Sequence, residues 1–229
     1  LYMGSLDDWA GKGLLLEDIK NWPPDWVLLL HGRYRPSSEL WQEIQSVVTR
    51  YPGKIILSDT PFTDLAEMYN LPMSADIGIA MYLPDYKTWH TGSNIKHIGF
   101  SSGKISSYLN CGLPVMVNDI GALSDDIVKY ELGFVLGDGV RPSDVLKGIS
   151  PDVLKRQKEN CRAYFIDKLD FARYKTALID RILKNGTEAG SNLSGRKTGL
   201  LCGLYNAVYR SLKAVYKKLS WLRLLAGKK

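Results

Sequence analysis

The 229-residue sequence is poor in the residues that build several familiar kinds of site. Its three cysteines, Cys111, Cys161 and Cys202, are odd in number, far apart and never in a CxxC pair. That fits reduced thiols in a cytosolic setting better than a disulfide framework. Of three histidines, His90 and His97 share a loop with Asp85 but lack HxxH or HxxxH spacing, so no metal site is expected. No apolar run approaches the length of a membrane span. There is no GxGxxG fingerprint and no GxSxG elbow, and Gly11-Lys12-Gly13 matches a phosphate loop only superficially, without its Lys-Ser/Thr ending. Acidic residues are missing altogether after Glu188.

That last absence divides the chain. Nine lysines and arginines follow Glu188, and removing their charge from the total of +6 leaves −3 for residues 1–195. The main domain is mildly acidic, which disfavours nucleic acid as a partner, and the tail is strongly basic. The first residue, Leu1, falls inside an apparent strand, so the sequence reads as the back part of a longer protein.

What is present alternates between apolar β-rich runs and helical stretches. Strands are expected at Leu1–Met3, Trp26–Leu30, Lys54–Leu57, Ala75–Tyr82, Val115–Val117 and Gly133–Leu136. Helices are expected at Gly13–Trp22, Ser38–Arg50, Thr63–Tyr69, Gly103–Asn110, Ser124–Glu131, Arg141–Ile149, Pro151–Asp167 and Phe171–Leu183. Continuous apolar strands separated by helices predict a doubly wound parallel α/β sheet, which binds ligands at the carboxyl ends of its strands. The long loop Leu83–Ser102 lies at that edge. The domains expected are an α/β domain over residues 1–184, a Gly/Ser-rich linker over 185–199 and a basic amphipathic helix over 200–229.

The most informative run is Ser101-Ser102-Gly103-Lys104, which opens a helix ended by Cys111-Gly112-Leu113-Pro114. Unpaired N–H groups and the helix dipole favour an anion there, Gly103 admits close approach, and Lys104 brings a charge suited to phosphate. An ordinary N-cap with a solvated lysine uses the same residues. Gly4 and Ser5 form a second turn at the ligand edge. Arg33, after the second strand, suits a phosphate or carboxylate clamp, or is a surface charge. Asp125 and Asp126 are explained by a Ser124 cap and the helix dipole. In the tail, Leu201, Leu204, Val208, Leu212, Val215, Leu219 and Leu222 recur at three- and four-residue steps opposite a cationic face. That pattern describes an in-plane membrane helix on an anionic surface; the alternative is a helix docked on a leading domain.

Taken in order, these pieces resemble the C-terminal, donor-binding half of a GT-B glycosyltransferase, near the large retaining family 4. Tyr2–Leu6 resembles the first strand and its glycine-bearing loop. Leu65–Tyr69 and Ser74–Ala80 resemble the family's short helix and its ADI-apolar strand. Ser102-Gly103-Lys104 with Tyr108-Leu109 and Cys111–Val115 resembles the helix below the sugar-nucleotide diphosphate, and Asn118–Ala122 and Gly133–Leu136 continue the series. The two glutamates that the family often carries around this helix fall at Gly99 and Ser107, and its basic residue after the first glycine falls at Ser5.

The resemblance implies a hexosyltransferase-type enzyme that moves a sugar from a nucleotide-diphosphate-sugar to a glycan or lipid-linked acceptor, on the inner face of the cell membrane. It implies that Gly103 and Lys104 hold the diphosphate with Ser101 and Ser102 assisting, that Gly4 and Ser5 line the opposite wall, that Ser107 lies near the ribose and that Phe62 flanks the base. Lys104 is the expected catalytic residue, neutralising the leaving diphosphate, with no cofactor and no metal. The acceptor domain belongs to the missing N-terminal half. The vacant acidic positions also fit a catalytically degenerate, membrane-associated partner that keeps the fold.

Overall fold

The computed structural model describes residues 1–32, 34–87, 92, 95 and 97–192, with side chains up to 182 apart from 65 and 100. Arg33, Trp89, His90, Asn94, Lys96, the rest of the linker and the whole basic segment 200–229 lie outside the described residues. The chain divides into two compact units, Leu1–Asp170 and Phe171–Lys229.

In the first unit the strands are β1 (Tyr2–Met3), β2 (Leu28–His31), β3 (Ile55–Ser58), β4 (Gly78–Ile79), β5 (Val115–Asn118) and β6 (Gly133–Leu136). They form two three-stranded parallel sheets, β1-β2-β3 and β4-β5-β6. Leu1 joins them: its nitrogen donates to Ile77 O at 2.8 Å and its carbonyl accepts from Ile79 N at 2.8 Å. The strand order is therefore β3-β2-β1-β4-β5-β6, whose direction of winding reverses between β1 and β4. In a doubly wound sheet a crevice opens at that reversal, at the carboxyl ends of the strands.

Alternation along the strands sends side chains to two cores. Tyr2, Leu28, Leu30, Ile79, Met81 and Met116 meet one set of helices, with Leu15 of α1 (Lys12–Asp18), Ile44 of α2 (Glu39–Arg50) and Leu146 of α6 (Pro142–Leu146). Leu1, Ala80, Tyr82, Val115 and Val117 face the other way. They meet Tyr108 and Leu109 of α4 (Gly103–Asn110), Ile127 of α5 (Ala122–Lys129) and Cys161 of α7 (Pro151–Tyr164). Removal of these side chains from water, worth roughly 1.5–3 kcal/mol for each large one, is what holds the layers together. The buried Asp18 carboxylate ties α1 to α6, accepting from Ser143 N at 2.7 Å and Ser143 Oγ at 2.8 Å.

Several element boundaries differ from the sequence-based expectation. The strand expected over Ala75–Tyr82 is regular only at Gly78–Ile79, because Ala75 N closes the end of α3 (Leu65–Met73) on Pro72 O, and Tyr82 is held by a side chain instead of a strand. Helix α3 runs on through Pro72, past the expected stop at Tyr69. Ser124 does not cap α5: Gly121 precedes the helix, and Ser124 Oγ takes Ile120 N at 2.8 Å from inside it. A π-helical turn, Phe165–Leu169, replaces the expected last α-turn of α7. In the second unit, helix α8 covers Phe171–Asn192. It therefore runs into the segment read as a linker from residue 185, and it stands outside the unit that holds the sheet.

Candidate functional site

The site is built where β1 and β4 part. β1 ends at Gly4, whose φ of +106° turns the chain away from the sheet in a conformation that L side chains rarely adopt. Gly4 N–H donates to His31 O at 2.8 Å, fixing the turn against β2. Gly32 packs against it so closely that a Cβ there would lie 2.8 Å from Gly4 O. Facing this turn is the start of α4. Ser102 is its N-cap, with Oγ accepting from Ile105 N at 3.5 Å, and the Gly103 and Lys104 N–H groups have no partner among the described residues. Gly103 has an ordinary φ, and a Cβ there would meet nothing within 4 Å, so the fold itself does not demand glycine at the helix start.

Lys104 occupies the gap. Its ammonium donates to Tyr2 Oη at 2.7 Å and lies 4.1 Å from the centre of the Tyr2 ring and 5.8 Å from that of Tyr82. A Cβ on Gly4 would be 3.9 Å from Lys104 Cε, so turn and lysine share one space. Lys104 forms no ion pair among the described residues. Burial pulls its pKa down from 10.5 to about 8, with only the field of Asp7 acting the other way. An ammonium with aromatic neighbours and no carboxylate partner among the described residues is short of negative charge.

Tyrosines and an asparagine hold the geometry. The Asn118 carboxamide at the end of β5 grips the Tyr82 backbone from both sides: Oδ1 accepts from Tyr82 N at 2.6 Å and Nδ2 donates to Tyr82 O at 2.9 Å. The Tyr82 hydroxyl then bonds Ser102 Oγ, so β5, β4 and the start of α4 are one connected unit. Tyr2 Oη donates to Ser5 O at 2.6 Å, and Met3 N donates to Tyr108 Oη at 3.1 Å. Burial raises the pKa of Tyr2, Tyr82 and Tyr108 above the ordinary tyrosine value and keeps them neutral. Tyr34, whose hydroxyl donates to Gly4 O at 3.4 Å, is pushed up to about 12 by burial.

Of the residues singled out in the sequence, the structure brings Gly4, Ser5, Ser102, Gly103 and Lys104 near one another where β1 and β4 part. Ser102 is there as a cap: its hydroxyl is committed to Tyr82 and Ile105 N, which makes it a positioning residue instead of a ligand contact. Ser101 is exposed beside it, its hydroxyl on Ile98 O. Ser107 is half-buried on α4, one turn beyond Gly103 on the same side of the helix. Phe62 stands farther along the sheet edge, stacked on His31 with ring centres 4.3 Å apart and planes 23° apart. His31 Nδ1 lies 2.9 Å from Ser58 Oγ. Tyr2, Tyr82, Tyr108, Asn118 and His31 were missed by sequence reasoning. The available signal was polar tips at the ends of otherwise apolar strands, since a buried hydroxyl needs a partner. No group of three or more His, Cys, Asp or Glu side chains suited to a metal ion occurs among the described residues.

No protein-family model and no curated protein matches the chain. Solved structures do. HepE of Anabaena, crystallised with UDP, matches with a TM-score of 0.58 and 14% identity over 80% of this chain and 48% of that one. A glycosyltransferase from Rickettsia africae matches with a TM-score of 0.58 and 18% identity over the same shares, 80% and 48%. The C-terminal domain of LpcC, a group 1 family glycosyl transferase of Francisella tularensis, matches with a TM-score of 0.51 and 16% identity over 73% of this chain and 84% of that domain. The chain thus spans about half the length of the first two. Its fold is that of one Rossmann-like half of a GT-B glycosyltransferase, as expected from the ordered motifs.

Proposed function

We propose that this chain is the donor-binding half of a glycosyltransferase and that a nucleotide-diphosphate-sugar binds across the β1–β4 crevice. The observation that carries the reading is Lys104: a half-buried ammonium that has no carboxylate partner among the described residues, beside two N–H groups at a helix start that have no partner there either, and opposite a left-handed glycine turn. The Gly103 and Lys104 N–H groups and the Lys104 ammonium take the diphosphate oxygens. Gly4 lets the anion approach the opposite backbone, and Ser5 and Ser101 offer hydroxyls at its margins. The Phe62–His31 stack is a platform at the base end of the crevice, Arg33 is a further phosphate contact, and Ser107 lies on the ribose side. As the glycosidic bond to the diphosphate breaks, charge grows on the leaving oxygens, and a preset ammonium and helix start stabilise it without reorganising. The structures of HepE with UDP and with UDP-glucose support a uridine nucleotide as the first donor to try.

Titration calorimetry of the chain with UDP, GDP, ADP and CDP tests this. Binding of at least one is expected, weakened by Lys104→Ala; no binding of any overturns the reading. A non-catalytic relative that keeps the fold is the second reading, favoured by Gly99 and Ser107 standing where the family often carries glutamates. Sugar transfer by the intact protein removes it.

The acceptor proposed is a glycan or lipid-linked sugar at the inner face of the cell membrane, reached through the basic segment 200–229. Seven cations without an acid, set beside an apolar stripe, suit an anionic lipid surface, each worth about 1 kcal/mol near it. Flotation with phosphatidylserine-containing vesicles is expected to carry the chain and to fail once residues 198–229 are removed; equal flotation of both ends the membrane proposal.

A further inference from the structure

The surroundings of Lys104 give it a chemistry besides charge. Tyr2 Oη donates its own proton to Ser5 O at 2.6 Å, so toward Lys104 Nζ, 2.7 Å away, it can only accept. When the side chain is an uncharged amine, that tyrosine therefore leaves its lone pair unclaimed. The side chain is only half-buried, and glycine at position 4 keeps the wall beside it clear, since a Cβ there would lie 3.9 Å from Lys104 Cε. The two tyrosine rings near the nitrogen and the lack of a carboxylate partner among the described residues favour the uncharged form. With a pKa drawn to about 8 by burial, a substantial share of Lys104 is free amine near neutral pH. An ordinary exposed lysine holds roughly one part in a thousand. A desolvated lysine of this kind is a nucleophile.

The electrophile that suits it carries no charge. An anionic one, such as an acyl phosphate, stabilises the ammonium on arrival and so returns the proton to the nitrogen. Carbon dioxide is neutral and three atoms long, and it leaves the amine free until the bond forms. The nitrogen lone pair bonds to carbon, one C=O electron pair moves onto oxygen, and the nitrogen loses a proton to water: an amine and carbon dioxide give a carbamate and one proton. The new carboxylate arises beside the start of α4, where the helix dipole favours an anion and the Gly103 and Lys104 N–H groups have no partner among the described residues. The tyrosines around it, Tyr2 on β1, Tyr34 after β2, Tyr82 after β4 and Tyr108 on α4, are held neutral by burial. The opposing field is that of Asp7, in the turn after β1.

We propose that Lys104 is a carbamylation site: its amine takes up carbon dioxide, and the carbamate stands in the place of the diphosphate. The consequence for the nucleotide, though not the modification, rests on the donor-binding reading. Carbamate and diphosphate exclude each other, because one removes the ammonium that the other holds. Donor binding then falls as dissolved carbon dioxide rises.

The test uses the 229-residue chain in carbon-13 bicarbonate near the amine's pKa of about 8. Carbon-13 NMR is expected to show a carbamate resonance that is lost on acidification and absent from Lys104→Arg, which keeps a cation but forms no such adduct. Asp7→Asn should strengthen the resonance, and the Asp7 side chain makes no capping bond whose loss confuses the result. Alkylation with triethyloxonium fixes the adduct, and mass spectrometry should place it on Lys104; adducts only on other amines overturn the proposal. Calorimetry with and without bicarbonate, at equal ionic strength, reads the nucleotide. At half conversion UDP should bind about twofold more weakly to the parent chain, with no difference for Lys104→Arg. An adduct on Lys104 that UDP displaces supports the modification and the nucleotide reading together. An adduct on Lys104 in a chain that binds none of UDP, GDP, ADP and CDP leaves the modification standing and removes the nucleotide reading. An adduct that persists beside bound UDP overturns the shared place. Nucleotide binding without an adduct on Lys104 overturns the modification alone, and absence of both overturns both.

Discussion

Helix α4 has two ends of opposite chemistry, and a cavity lies at the one that the fold has already closed. At its C-terminal end Gly112 sits at φ +69°, Leu113 N returns to Tyr108 O at 2.9 Å and Gly112 N to Leu109 O at 3.0 Å. That double bond is the Schellman stop, and it satisfies the last carbonyls. The Arg162 guanidinium adds a cation to the same end, on Asn110 O and, at 3.2 Å, on Asn110 Oδ1. A hollow of about 910 Å³ lined by Tyr69, Met73, Cys111, Arg162 and Ile166 opens there, yet protein already answers its helix terminus. The N-terminal end has two N–H groups without partners and an ammonium without a carboxylate among the described residues. What separates the two ends is unanswered polarity.

The largest test of that contrast replaces one cation at each end. Lys104→Met is expected to weaken UDP binding about 10- to 150-fold, since a hydrogen bond to a charged group contributes roughly 1.5–3 kcal/mol. It should not lower the thermal melt, because it removes an ammonium whose charged form burial disfavours. Arg162→Met is expected to leave UDP affinity alone and to lower the melt slightly. Calorimetry and differential scanning fluorimetry on both variants decide it; equal effects on UDP erase the distinction between the two ends.

Next in size is the scaffold behind the N-terminal end. Asn118→Ala leaves the Tyr82 N–H and C=O buried without their partners. An unfolding free energy lower by about 2–3 kcal/mol in urea is expected, together with weaker UDP binding as Tyr82 and the α4 cap lose their anchor. Tyr82→Phe breaks only the bond to Ser102 and should cost about 1 kcal/mol. A Tyr82→Phe loss as large as that of Asn118→Ala contradicts the order Asn118, Tyr82, Ser102 in this chain of support.

The same contrast explains which parts the sequence disclosed. Local signals worked: Ser102 caps the helix it precedes, and strands β2, β3, β5 and β6 stand within a residue or two of their apolar runs. The Ser102-Gly103-Lys104 helix start was visible because cap, glycine and lysine are adjacent. The tyrosine frame was not, because its bonds join residues 102, 105 and 20 positions apart. Only the fold brings Tyr2, Tyr108 and Tyr82 to the lysine and the cap. The linker expectation over 185–199 failed in its first part for a different reason. Gly186 and Gly190 each cost a helix only about 1 kcal/mol, and α8 carries on through both.

Acidity offers a finer comparison of bound and free states. The free ammonium of Lys104 is lost as pH rises through about 8, whereas a bound diphosphate holds the proton on it. UDP affinity should therefore fall above that pH, by up to about tenfold per unit, with proton uptake on binding when calorimetry is repeated at pH 9 in buffers of different ionisation enthalpy. The sign for folding is opposite. The unfolded lysine, at 10.5, binds more protons than the native one, so the empty fold gains stability from Lys104 as pH climbs from about 8 toward 10.5. Lys104→Met should flatten both curves. A pH-independent UDP affinity in the parent chain places the diphosphate away from this ammonium.

The smallest effects come from the two glycines that bracket α4, and they should cross over. Gly112→Ala puts a Cβ at φ +69° and 3.2 Å from Lys158 O, so a loss of about 1 kcal/mol in stability is expected with UDP affinity unchanged. Gly103→Ala meets nothing within 4 Å and has an ordinary φ, so the fold should gain about 0.4–1 kcal/mol from a less flexible unfolded chain. Its cost falls on the ligand instead: a methyl group at the helix start keeps a phosphate from the Gly103 and Lys104 N–H groups. Urea unfolding and UDP calorimetry on this pair read the two glycines independently. If Gly103→Ala binds UDP as well as the parent chain does, the diphosphate does not rest on the start of α4, whatever Lys104→Met has shown.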